Sequence, residues 1–182
     1  MTKTKKNLET RAIMLSQLII NNATLYQDSA DGERGLLETL VGAGIWYLPN
    51  VPELYTGKIS KAALEKLQSN PKGTKLVEEH AIPRKVAGKF LFTTYLEDLK
   101  NDSSVLIRLY LESFGRYNLV LKEENDRLKK FQKSSVFTSE AEAYHQAGIE
   151  LMDFSYEAYQ EFKRGKLSGR KVKDQVLVMD LL

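Results

Sequence analysis

A glutamate and a histidine stand side by side at the end of a short apolar stretch, Lys75-Leu-Val-Glu-Glu79-His80-Ala-Ile-Pro83. The chain has only two histidines, so this one needs a reason. A strand end can hold an imidazole in a cleft, where its near-neutral pKa suits a general base. The adjacent carboxylate is a hard oxygen donor of the kind that binds a divalent cation beside the same substrate atom. The same five residues also fit a partly exposed histidine on a strand-to-helix turn.

A second segment bears on that choice. Leu119-Val-Leu-Lys-Glu-Glu-Asn125-Asp-Arg-Leu128 sets an asparagine in the first turn of a helix that follows a strand. A hairpin carrying a histidine, leading into a helix that starts with an asparagine, resembles the working unit of HNH (His-Me finger) nucleases. Further similar pieces are Ile59-Ser-Lys-Ala-Ala63 and Tyr144-His-Gln-Ala-Gly-Ile149, which look like small restriction- or phage-type proteins. The resemblance covers about half the chain. It implies a metal-dependent DNA endonuclease with His80 as general base. Glu79 would stand where the family usually has an aspartate ligand. Asn125 would be a second oxygen ligand to Mg²⁺ or Mn²⁺, or the group that orients the histidine. Arg84, Lys129 and Lys130 would contact phosphate oxygens.

This sequence departs from that pattern in three ways. Glu replaces Asp, no residue in 129–133 matches the family's further helix ligand, and residues 84–115 must fold out as a helical insertion between the two strands. The alternative reading is a non-catalytic DNA- or protein-binding helical domain of a phage or restriction system. In it, His80 is a hairpin histidine and Asn125 caps a helix. Other candidates read as structure. Glu123 and Glu124 complement a helix dipole, His145 sits among polar residues on a helix, and Trp46-Tyr47 pack at a helix end. Lys129-Lys130 lie on a solvated face unless that helix meets phosphate. No P-loop, dinucleotide fingerprint, nucleophile elbow or H-E-x-x-H pair is present.

Bulk composition narrows the classes. At 182 residues, with 42% hydrophobic and 28% charged residues, the chain reads as a soluble globular protein of one domain. The absence of cysteine excludes a disulfide scaffold and a thiolate zinc site, and suits a reducing cytoplasm. The first residues lack the apolar core of a signal peptide, and no apolar run approaches the ~18–20 residues of a membrane span. A net charge of +3 permits a nucleic-acid partner. A homodimer is expected on symmetry grounds.

The elements that must position these residues follow from periodicity and turn chemistry. Apolar spacing predicts helices over 8–26 and 36–48, the second ended by Pro49-Asn-Val-Pro52. Ser60 is expected to cap a helix through 67, and 75–79 reads as the first strand. A helix follows Pro83 to about 99, and another runs to Phe114, closed by Gly115. The second strand is 117–121, followed by a charged helix over 123–132. Thr138 or Ser139 starts a helix containing Ala143 and Tyr144. From 148 onward the pattern fits either a strand over 149–154 or one helix to 163, followed by a basic segment and an apolar run at 176–182. The expected class is α+β, predominantly helical, with one ββα-metal unit. The expected parts are a helical 1–70, the ββα unit at 74–133 and a helical 138–182.

Overall fold

Three serines set helix starts in the computed structural model, which describes residues 3–133, 135–169 and 172. Ser60, Ser139 and Ser155 each accept a hydrogen bond from the backbone N–H three residues on. Each such cap contributes about 1 kcal/mol. The elements in chain order are α1 (Lys3–Asn21), α2 (Ala23–Asp28), α3 (Asp31–Ile45), β1 (Tyr55–Ser60), α4 (Lys61–Ser69), β2 (Leu76–His80) and α5 (Arg84–Phe92). Then come α6 (Leu96–Asn101), α7 (Val105–Leu109), β3 (Tyr117–Leu121), α8 (Lys122–Leu128), α9 (Glu140–Gln146), β4 (Leu151–Asp153) and α10 (Tyr156–Lys163). The expected α+β, mainly helical class is the one observed.

Several boundaries differ from expectation for identifiable reasons. The expected helix over 8–26 breaks at Asn22, whose side chain bonds back to the Leu18 carbonyl at 2.8 Å. The helix after Pro83 stops at Thr93, whose hydroxyl donates to the Lys89 carbonyl at 2.8 Å, and α6 starts afresh. After α7 the chain widens into a π turn, Tyr110–Phe114, with Gly115 N–H bonded to the Tyr110 carbonyl at 2.9 Å. Beyond residue 148, the strand alternative holds for β4 and a separate helix, α10, follows. The apolar run at 176–182 lies outside the described residues.

The chain forms two compact units. One comprises Met1–Leu54, His80–Arg116 and Lys133–Phe137 and is built of helices. Its centre is the crossing of α3 and α5, which two glycines allow. A Cβ on Gly42 would lie 2.2 Å from the Arg84 carbonyl oxygen, and one on Gly88 would lie 2.0 Å from that of Glu38. Backbone therefore meets backbone here. Around the crossing, Ile19, Val41, Ile45, Leu91, Leu99 and Leu106 are buried, and Tyr26 stacks flat on Phe92 with ring centres 4.4 Å apart. The Tyr26 hydroxyl donates to buried Glu38 at 2.9 Å.

The other unit comprises Tyr55–Glu79, Tyr117–Gln132 and Thr138–Leu182. It carries the four-stranded sheet in the order β2-β3-β1-β4. β1 runs parallel to β3 and antiparallel to β4. β1 was not foreseen, because Gly57 interrupts its pattern. That glycine takes φ +78° where the register with β3 shifts between Tyr55 and Ile59, the irregularity that a left-handed residue makes in a strand. Ile59, Leu67, Leu119, Val120 and Leu128 fill the core of this unit.

The glycine crossing generates a stability prediction. Gly88→Ala should destabilise the protein by about 1–3 kcal/mol, the range for overpacking a close contact. Gly32→Ala, where a Cβ would meet nothing within 4 Å, should be neutral or slightly stabilising. Thermal melts of the two variants beside the parent check both.

Candidate nucleic-acid interface and a buried carboxylate

The α3–α5 crossing delivers Arg84 to Trp46. The Arg84 carbonyl is pressed against Gly42, and Trp46, one helical turn beyond Gly42, caps the end of α3. The Arg84 guanidinium carbon sits 3.5 Å from the centre of the indole. The His80 ring approaches the same indole, with centres 4.2 Å apart and planes at 51°. Two expected site residues, His80 and Arg84, thus meet in one unit at Trp46, which the sequence places at a helix end. Both Arg84 and Trp46 are exposed, so this cation–π contact stiffens a surface arginine, contributing about 0.5–1 kcal/mol. Lys85 and Lys89, one turn apart on α5, are exposed as well.

The remaining expected residues lie in the sheet-bearing unit. Glu79 is 4% exposed, and both of its oxygens are engaged. Oε2 accepts from the Tyr144 hydroxyl, and Oε1 accepts from the Gln132 amide at 2.5 Å. Tyr144 has one hydrogen, and it goes to Glu79, because Asn118 Nδ2 donates to the Tyr144 oxygen at 3.0 Å. The same Asn118 amide donates to Glu140 at 2.8 Å, and its oxygen accepts from the Thr56 hydroxyl. Nothing in the local sequence announces this network, since its members come from β1, β2, β3, α9 and the segment after α8.

The neighbouring Glu78 is held separately, by the Tyr159 hydroxyl and by Lys163 Nζ at 2.9 Å. Strand alternation explains the split, because successive side chains leave opposite faces. For the same reason Glu79 and His80 cannot both turn to one point from a regular strand.

Asn125 sits half-buried in the first turn of α8. That helix is anchored by Glu124, which accepts from the buried Ser60 hydroxyl and from Leu121 N–H at 2.9 Å, the backward half of a capping box. Asn125 therefore does not cap the helix. Of the two lysines expected to meet phosphate, Lys129 pairs with Asp126 at 2.6 Å, and Lys130 is exposed.

The expected Mg²⁺ or Mn²⁺ ligation fares differently for its two donors. Asn125 presents an amide with no side-chain partner among the described residues. Glu79 does not fit a ligand's role as it stands, since a cation would have to displace both hydrogen bonds from its carboxylate. No group of three or more His, Cys, Asp or Glu placed to hold a metal occurs among the described residues.

Burial pushes the Glu79 carboxyl up to about 7, against the opposing pull of its bonds to Tyr144 and Gln132, with the Glu140 charge adding to the rise. A carboxyl that binds its proton more tightly when folded stabilises the fold below its unfolded pKa, and that stability is lost as pH climbs through the folded value. Stability should therefore fall between about pH 4.5 and 7 by an amount on the order of 2 kcal/mol. Glu79→Gln, which keeps the shape and stays neutral, should flatten that slope. Urea unfolding across this pH range for the parent and the variant checks it.

No protein-family model, no curated protein and no solved structure matches the chain.

Proposed function

We propose that the chain binds DNA through the cationic start of α5, with Arg84 as the central phosphate contact. The observation that carries this reading is the Arg84 guanidinium held 3.5 Å over the Trp46 ring at the surface. A planar, always-charged fork that is already oriented loses less entropy on engaging a phosphate than a free side chain does. Its surroundings support the reading. From residue 81 to 96 the only charged side chains are Arg84, Lys85 and Lys89, with the next acid at Glu97. A stretch without carboxylates suits a polyanion, and the contacts it makes carry little sequence information.

Binding should be measurable by fluorescence anisotropy on a labelled duplex across a salt series. Arg84→Ala should weaken it about tenfold, the loss of one charge-assisted contact, and lower the salt slope by about one. Trp46→Leu should weaken it less, by freeing the guanidinium. Salt-independent binding, or binding indifferent to Arg84→Ala, would rule the reading out.

A second reading has its own support. β2 and β3 are neighbours in the sheet and α8 follows β3 directly, with Asn125 in its first turn. This is the order of parts in an HNH-like unit, and it favours phosphodiester hydrolysis with His80 as the general base. Plasmid incubated with the protein and Mg²⁺ or Mn²⁺ distinguishes the two readings. Hydrolysis requires cleavage that His80→Ala reduces by about 10²–10⁴ while duplex affinity is kept. Binding without cleavage leaves the first reading alone.

A further inference from the structure

One aromatic residue beside the Arg84 site has no task in the phosphate contacts described so far. Tyr47 follows Trp46 at the end of α3 and is 76% exposed. Its backbone is fixed on both sides. Its N–H donates to the Gly44 carbonyl at 3.1 Å, and its own carbonyl accepts from Arg11 Nη1 at 2.6 Å. The ring itself meets no other ring among the described residues. Trp46 differs, because Arg84 and His80 already lie against its indole. The turn therefore presents one occupied aromatic and one open one. Tyr47 and Arg11 also line a groove of about 390 Å³, together with Met14 and Leu18, a size that takes small molecules.

We infer that this turn binds unpaired DNA, with a base stacked on Tyr47 and neighbouring phosphates on Arg11 and Arg84. The inference rests on the DNA-binding reading and narrows it to a single strand. Charge supports this ligand. Residues 10–27, 39–52 and 81–96 hold four charged side chains, Arg11, Arg84, Lys85 and Lys89, and all are cations. The acids next along the chain are placed elsewhere. Glu9 falls about 200° round α1 from Arg11, Glu38 is buried against the Tyr26 hydroxyl, and Glu53 lies beyond Pro49 and Pro52. The open ring selects the form of the DNA. A duplex keeps its bases stacked inside and offers a protruding tyrosine nothing to lie on. An unpaired base has a free face, and aromatic stacking beside cationic side chains is how single strands are held without regard to sequence.

Trp46 is the only tryptophan of the chain, so its emission reports on the neighbouring ring. The full chain is titrated with an oligothymidylate of about 12 nucleotides, within the span of single-strand sites, and with a duplex of equal length. The single strand should quench Trp46 and bind more tightly than the duplex. Tyr47→Ala should weaken single-strand binding at least about fivefold, the loss of one stacked base, and leave duplex affinity unchanged. Tyr47→Phe, which keeps the ring, should bind like the parent. Arg11→Ala should lower the single-strand salt slope by about 0.7, one phosphate contact. Thermal melts of both Tyr47 variants should match the parent, because the ring is exposed. A duplex bound more tightly than the single strand overturns the inference and leaves the DNA-binding reading standing. Tyr47→Ala acting equally on both forms, or on neither, does the same. Failure to bind either form overturns both.

Discussion

A strand offers successive side chains to opposite faces, and in β2 this alternation governs what each of three consecutive polar residues can do. Glu78 is taken by Tyr159 and Lys163. Glu79 is taken by Tyr144 and Gln132. His80 lies against Trp46. None of these partners is near β2 in sequence, so the strand gathers later helices onto itself through its carboxylates. Burying an ionisable group in this way is costly unless its hydrogen bonds are complete, and around Glu79 they are. The network thereby specifies where α9 must sit, because a shifted helix would leave Tyr144, Asn118 and Glu79 partly unsatisfied in a dry interior.

The helical unit solves a different problem with smaller parts. Two glycines let α3 and α5 touch backbone to backbone, and that contact carries Arg84 to the exposed indole of Trp46. Substituting any larger residue at the crossing would push the first turn of α5 outward and take the guanidinium with it. Packing in the core and the chemistry offered at the surface are therefore set by the same close approach. The crossing is also why His80, which enters this unit just before α5, meets an aromatic ring as its neighbour.

What could be read from the sequence follows the range of the interactions involved. Ser60 as a cap, the strand at 117–121, the closing Gly115 and the start of α9 depend on neighbours within a few residues, and all were legible. β1 was not, because its hydrogen bonds go to β3 and β4 and because Gly57 looks like a break when seen alone. The pairing of Arg84 and Trp46 was hidden for the same reason, since only the α3–α5 crossing brings them together. The Glu79-His80 dipeptide sets two chemically capable groups side by side, yet the sequence does not say that the carboxylate turns inward to Tyr144. Residue type marks a group as chemically capable, whereas its direction is decided by the pleat and by distant partners.

The division of the chain into its two units has a consequence for the order of events as the protein is made. The helical unit is assembled from three separate stretches, the last ending at Phe137, and the sheet-bearing unit from three others. A ribosome feeding out the chain from its start must release α1 long before the pieces that complete its unit exist. β1 waits in the same way for β3, some 60 positions later in the chain, as the bond between Thr56 and Asn118 attests. Neither unit can close early and act as a template for the other. Contacts of such long reach delay folding until the loops between them have been closed. During that interval the charge-free second half of α1, from Ala12 to Asn21, and the strand edges stay open to stray association.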